Sequence, residues 1–542
     1  MRKTDSRQSL LHFSPSRSPE ASPPLPERLN LEGRGAAGGF ATTLRINTDG
    51  DTLLPPRDPR SDDSIELGGM LLFAPPKASR LPPLAALSKS TPNLPRVTSN
   101  GSVVDIGEAS PSNASDDPPP RAAALCGPGL AMAAAFVGPG TISTCAAAGA
   151  QFGFGLLWAV TFAVGGCIIL QEASARVGLV TRRGLGEAIR DLRPKWLRTT
   201  IIVLASSSLT VGNASLQAGN VSGAGIGLRL LLGAPAENAH LCSLLAGGVV
   251  CLLLALGGTG GLTRLLGVVV LAMSALFVGT AAASGASFLD VAPALFTPSV
   301  PDGGGALVLA LVGTTICSYN LFLQSSAVAQ TAERGGHRRD PPSVRAQLWW
   351  TRADTAGSAV VGGMISVSIL VTAAALAERG AAADCIAGHA CTADGVAALA
   401  AGVAASFGPV ASGCFSAGLL AAGVSSALAA PLATRYALCG LLGWEPHSWA
   451  AACSWALVAG GGALAASLPA LNPLAIILFA QVANALLLPL LAGALLLVAG
   501  SETMMGEFRS GPVLRALGGG VVAVTLALSL HTLVKAAVFA HT

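Results

Sequence analysis

The 542-residue chain is 51% apolar, only 11% charged and carries a net charge of +4. Soluble domains carry about 25% charged residues, so the bulk of this chain is not a soluble globule, and it shows no Lys/Arg stripe interleaved with aromatics that would take nucleic acid. No Walker-type loop, ligand-spaced His pair or nucleophile–base arrangement points to an enzyme or to a bound cofactor.

Charge and proline concentrate in residues 1–121, in stretches such as "HFSPSRSPEASPPLPERL" and "PSNASDDPPPRAA". A segment of this composition cannot bury a core, and it is predicted to be a disordered cytosolic tail, available to regulatory proteins. Its start, "MRKTDSRQSLL", can be read as a targeting peptide. Asp5, Glu20 and Glu27 weigh against that, because transit peptides are poor in acids.

Residues 122–542 read as an all-α polytopic membrane domain in contact with lipid. Apolar runs of about 20 residues recur, enough to cross a hydrocarbon core of about 30 Å, and they do not alternate as barrel strands would. Eleven spans are predicted, at residues 123–148, 154–177, 199–224, 239–257, 263–285, 305–330, 348–377, 408–434, 449–469, 473–499 and 514–538. The stretch 393–407 is too short to cross and is expected to form a helix ahead of span eight.

The loop after span two holds Arg182, Arg183, Arg190, Arg193, Lys195 and Arg198, and the loop after span six holds Arg334, Arg338, Arg339 and Arg345. Arg264, Arg435 and Arg509 follow spans four, eight and ten. The positive-inside rule puts these loops in the cytosol together with the N-terminus, and the C-terminus on the opposite side. Cys385 and Cys391, in the polar loop "ADCIAGHACTADG", then face an oxidising space and could pair.

Two spans carry breaks. In span one Gly138-Pro139-Gly140 precedes Thr141, Ile142, Ser143, Thr144 and Cys145. Proline removes a backbone donor and glycine raises the helical cost. In lipid such a segment persists only where protein or a wet cavity surrounds it. In span six Gly313 is followed by Thr314, Thr315, Cys317, Ser318, Tyr319, Asn320 and Gln324. "GTISTC" from Gly140 echoes "GTTICS" from Gly313, five spans apart, as a 5+5 inverted repeat with one appended helix would produce.

These residues resemble the Nramp family of divalent-metal transporters. "GPGLAMAAAFVGPGTISTCAAAGAQFGFGLLW" (127–158) is similar to that family's first span, and "QEASARVGLVTRRGLGEAIRD" (171–191) to its second span and following loop. "GTTICSYNLFLQSS" and "AGVSSALAAPLA" are similar to its spans six and eight. The resemblance covers roughly residues 122–540. It implies a LeuT-like fold, alternating access and a metal site between the two breaks.

The family's ligands are not all kept. Its Asp-Pro-Gly-Asn reads Gly138-Pro139-Gly140-Thr141 here, its Met-Pro-His reads Cys317-Ser318-Tyr319, and a later histidine is Gln324. Span three carries neutral Gln217 and Asn220 where the family carries acids. The expected substrate-binding residues are therefore Gly138, Thr141, Cys317, Tyr319 and Asn320, with Pro139, Gly140 and Gly313 making the breaks. Gln217, Asn220, Gln324, Asp354 and Asn484 are candidates for the cavity or for coupling. Gln481, Ser425 and Ser426 are further polar groups that could complete it. Glu172 and Arg176, four residues apart in span two, are expected to form a local ion pair, and Arg352 and Asp354 a boundary salt bridge.

A divalent cation leaving water needs negative charge or many oxygens. Three readings follow: a divalent-metal transporter (Mn/Fe-like or Mg) of an atypical branch, a carrier of a neutral or organic solute on the same fold, or a non-transporting sensor or scaffold. With so few titratable groups, any transport is expected to be uniport-like or poorly proton-coupled.

Overall fold

The computed structural model describes residues 137–256, 260–335, 343–378 and 394–541. The proposed tail, the upstream half of span one, and Cys385 and Cys391 lie outside the described residues. Within them the chain is helical, with no strand.

The helices are α1 (Pro139–Phe152), α2 (Leu157–Thr181), α3 (Leu185–Ile189), α4 (Lys195–Leu232), α5 (Ala239–Leu256), α6 (Gly260–Ala283), α7 (Phe288–Ala294) and α8 (Gly305–Thr315). They continue as α9 (Ser318–Gly335), α10 (Val344–Glu378), α11 (Asp394–Phe407), α12 (Pro409–Leu442), α13 (Trp449–Ala466), α14 (Pro473–Gly500), α15 (Glu502–Met505) and α16 (Pro512–His541). Ten segments among the described residues are long and apolar enough to cross a membrane, α8 and α9 together counting as one. They match predicted spans two to eleven, and α1 is the described part of span one. The short stretch ahead of span eight is the helix α11, which Gly408, at φ +85°, separates from α12.

The packing repeats with an offset of five spans. In span one α1 packs on α10, as α9 of span six packs on α2. Helix α4 packs on α14, as α12 packs on α6; α4 meets α5 as α12 meets α13; and α4 and α12 pack on each other. This is the pattern expected of two like halves interlocked about their third helices. Helix α16 lies outside this pattern, against α14, α8 and α2.

Small residues let the central backbones approach, as is general between membrane helices. A Cβ at Gly223 of α4 would lie 2.2 Å from the Pro139 ring, and one at Gly149 of α1 would lie 2.2 Å from the Leu370 carbonyl oxygen of α10. Large apolar side chains such as Leu245, Leu252, Val268 and Leu457 are instead exposed on the outer helices, where lipid would cover them.

Basic segments gather at one end of the bundle. Arg176 donates to the carbonyls of Phe508 and Arg509 at 3.3 and 3.5 Å, Arg345 pairs with Glu507, and Arg190 packs against Gly443. The loops after spans two, six, eight and ten are thereby brought together.

Candidate site between two broken helices

The first break is a helix start. Gly138 is extended (φ −94°, ψ 174°) and caps α1, with Pro139 in the first turn. Proline suits that position because its missing N–H would have no intrahelical partner. The proline that a continuous helix would not tolerate here fixes where α1 begins, and Gly223 supplies the room for its ring.

The second break falls later than the sequence suggests. Gly313 lies inside α8, which runs on to Thr315; the chain leaves the helix at Ile316 (φ −102°, ψ 78°) and Cys317, and α9 starts at Ser318. Gly313 is therefore not the breaker. A Cβ there would stand 2.0 Å from the carbonyl oxygen of Gln481 on α14, so its smallness serves helix packing. Gly140, its counterpart in the repeat, meets the same residue: a Cβ there would stand 2.3 Å from the Gln481 amide nitrogen. One residue of α14 thus packs against both α1 and α8.

Between the breaks lies a cavity of about 30 Å³, lined by Gly138, Gly140, Thr141, Leu216, Asn220, Thr314, Cys317, Tyr319, Ser426 and Gln481. A volume of this size holds one or two water-sized bodies. The hydroxyls of Thr141 and Thr314 are hydrogen-bonded across it at 3.0 Å. The Cys317 thiol points back at the carbonyls of Thr314 (3.6 Å) and Gly313 (3.9 Å) as a weak donor. Among the described residues no carboxylate or imidazole lines the cavity, and no three His, Cys, Asp or Glu side chains gather as a metal cluster. Its donors are neutral: hydroxyls, side-chain amides and one thiol.

Of the expected residues, the structure brings Gly138, Gly140, Thr141, Asn220, Cys317 and Tyr319 to this cavity, with Pro139 directly behind it. Others stand elsewhere. Asn320 is on the first turn of α9, its N–H donating to the Cys317 carbonyl, and it does not line the cavity. Gln324 donates to Thr355 of α10 at 3.4 Å. Asp354 is exposed in the first third of α10, and Arg352 pairs with Glu172 at 2.7 Å. Gln217 is fully buried against Gly462 of α13, with neither end of its amide hydrogen-bonded among the described residues. One helical turn separates it from Asn220, yet it projects away from the cavity.

Asn484 stands behind the second break. Its amide nitrogen donates to the carbonyls of Gly313 (2.6 Å) and Ile316 (3.3 Å), and its oxygen accepts from the backbone N–H (3.3 Å) and hydroxyl (3.0 Å) of Ser318. Thr314 was not singled out as a binding residue by the sequence, although aligning "GTISTC" with "GTTICS" pairs it with Thr141. The sequence shows Gln481 and Ser426 only as polar groups on apolar spans; what brings them to the site is close packing against the glycines, Gln481 on Gly140 and Gly313 and Ser426 on Gly138.

Away from the cavity, Glu172 sits between two arginines. It pairs with Arg176 on its own helix, as expected, and with Arg352 of α10. The group ties α2, α10 and the turn at residues 506–509 at the basic end of the bundle.

A family model described as "Natural resistance-associated macrophage protein-like" (Nramp) matches residues 129–535. The chain is similar to the divalent metal cation transporter MntH of Aeromonas hydrophila, 26% identical over 426 residues, covering 76% of this chain and 95% of that protein. MntH of Klebsiella pneumoniae is 26% identical over 420 residues, covering 75% and 92%. Among solved structures, the Eremococcus coleocola manganese transporter superposes with a TM-score of 0.57 at 21% identity, over 76% of this chain and 86% of that one. MhsT in complex with L-phenylalanine gives 0.50 at 16% identity, over 75% and 98%. At these identities the structural matches speak for the LeuT-like fold alone.

Proposed function

This chain belongs to the Nramp family, and on that premise we propose that it carries divalent metal ions across a membrane by alternating access, holding them between the start of α1 and the α8–α9 break. The supporting observation is the cavity between the breaks, where the two halves of the repeat meet through Thr141 and Thr314. Its size bears on the substrate. Pockets for organic ligands span about 300–1,000 Å³, whereas about 30 Å³ suits an ion with part of its water shell. This weighs against an organic solute.

The donor set bears on which ion. Hydroxyl and amide oxygens suit hard cations, and Mg²⁺ in particular keeps several waters when bound. The one soft donor, Cys317, is turned toward backbone carbonyls. Without a carboxylate, the charge of the ion is met only by dipoles, including the partial negative charge at the C-terminal end of α8. Mg²⁺ and Mn²⁺ are the preferred substrates on this reading, bound weakly and retaining water. With no carboxylate or imidazole lining the cavity among the described residues, transport follows the ion's own gradient without proton coupling. The basic end of the bundle is placed in the cytosol by the positive-inside rule.

Uptake by vesicles reconstituted with the full chain tests this, comparing Mn²⁺, Mg²⁺ and Fe²⁺ with protein-free vesicles. Saturable uptake of Mn²⁺ or Mg²⁺ is expected. Absence of uptake of every cation tested would overturn the reading.

A further inference from the structure

A broken membrane helix leaves backbone groups without helical partners, and each must find one in the protein or in a wet cavity. At the α8–α9 break the helical ladder fails over a few residues. Ile316 still donates to Val312, but Asn320 donates to the Cys317 carbonyl and no longer to Ile316. The carbonyls of Gly313 and Ile316 and the N–H of Ser318 are therefore released from helical pairing. All three are taken up by one side chain, Asn484 of α14.

The match is complete in number. A carboxamide offers two N–H donors and two oxygen lone pairs. Both donors of Asn484 go to carbonyls; both acceptor positions receive Ser318, one its N–H and one its hydroxyl. The partners also fix which end of the amide is which. Asn484 is buried and does not line the cavity, so its contribution is to the shape of the break. Thr314 and Cys317, which do line the cavity, lie between the groups it holds.

We propose that Asn484 is the positioning residue of the site: its amide replaces the helical hydrogen bonds lost at the α8–α9 break and so holds Thr314 and Cys317 toward α1. It acts on the cavity assigned above to metal transport, but the geometry it sets is measurable whatever the cargo. The complementary residue is Ser318. It is the first residue of α9, where proline is well tolerated, and Ser318→Pro deletes the N–H that the Asn484 oxygen accepts.

The test uses the full chain in detergent and in vesicles. Alkylation of Cys317 by a small thiol reagent is followed by peptide mass spectrometry, which separates it from the other cysteines, and Mn²⁺ uptake is measured alongside. Asn484→Leu is expected to change the Cys317 alkylation rate by about fivefold or more and to cut uptake by about tenfold. S318P/N484L, which removes both the N–H and the hydroxyl that N484L leaves without the Asn484 oxygen, is expected to move both values back toward wild type. A Cys317 rate within about twofold of wild type in N484L, or a double variant no better than the single one, overturns the proposal. If N484L does not elute as folded protein, a folded S318P/N484L supports the proposal and an equally unfolded one overturns it. If the wild type carries no cation, the alkylation comparison still decides the role of Asn484, and only the transport reading fails.

Discussion

Thr141 and Thr314 share a 3.0 Å hydrogen bond although 173 residues separate them. The same offset relates Gly140 to Gly313, and both glycines pack against Gln481. Equivalent residues of the two halves thus touch each other and a common neighbour, at the start of α1 and just ahead of the α8–α9 break. A cavity lined by neutral oxygens forms there, and the transport reading rests on it.

The threonine pair should be energetically coupled. Thr141→Ala and Thr314→Ala are each expected to lower Mn²⁺ uptake. In a double-mutant cycle the second substitution should cost less than the first by about 1 kcal/mol, the net worth of one hydrogen bond. Strict additivity in initial rates would show that the two hydroxyls act separately.

The two glycines should differ in their tolerance of a methyl group. At Gly140 the obstacle is the side-chain amide of Gln481, which can swing away; at Gly313 it is the Gln481 backbone carbonyl, which cannot. Gly313→Ala is expected to destabilise by about 1–3 kcal/mol, the usual cost of overpacking, and Gly140→Ala by less. Thermal melts of the two variants in detergent check the order, and the reverse order would contradict this packing.

Glu172 should matter more for stability than either partner's exposure suggests. Glu172→Gln leaves Arg176 buried without its counter-charge, and breaking a buried pair in this way costs about 3 kcal/mol. Arg352 is about half exposed, with its side chain at 49%, so Arg352→Ala should cost below about 1 kcal/mol. Chemical denaturation of the two variants separates them, and equal losses would count against the assignment.

Transport should be insensitive to protons. With no carboxylate or imidazole on the cavity wall among the described residues, Mn²⁺ uptake is expected to stay flat from about pH 6 to about pH 8, the range in which histidine would titrate. A pH-sensitive dye inside the vesicles should report no proton entry with the metal. Stoichiometric acidification would contradict the uncoupled reading.

Much of this architecture was legible in the sequence, because lipid imposes length and hydropathy on every span and tolerates Gly-Pro-Gly only where protein surrounds it. The echo between residues 140–145 and 313–318 carried the repeat, and it already paired Thr141 with Thr314. What the sequence could not show is direction around a helix axis. Gln217 and Asn220 lie one turn apart on α4, yet only Asn220 reaches the cavity. Asn484 and Gln481 are similarly close on α14, but one braces the break from behind while the other faces the cavity. Gly313 misled for a different reason: glycine marks both breaks and close packing, and only the neighbouring Gln481 carbonyl distinguishes them.

Diffraction from crystals of the full chain grown with Mn²⁺, using the anomalous signal of the metal, locates the ion directly. A peak is expected inside the cavity, between Thr141 and Thr314 and within direct or one-water reach of Asn220 and Gln481. Such a peak should be absent from Thr141→Ala crystals grown the same way. A peak at Glu172, or none at the cavity when the metal saturates uptake, would contradict a metal site between the breaks.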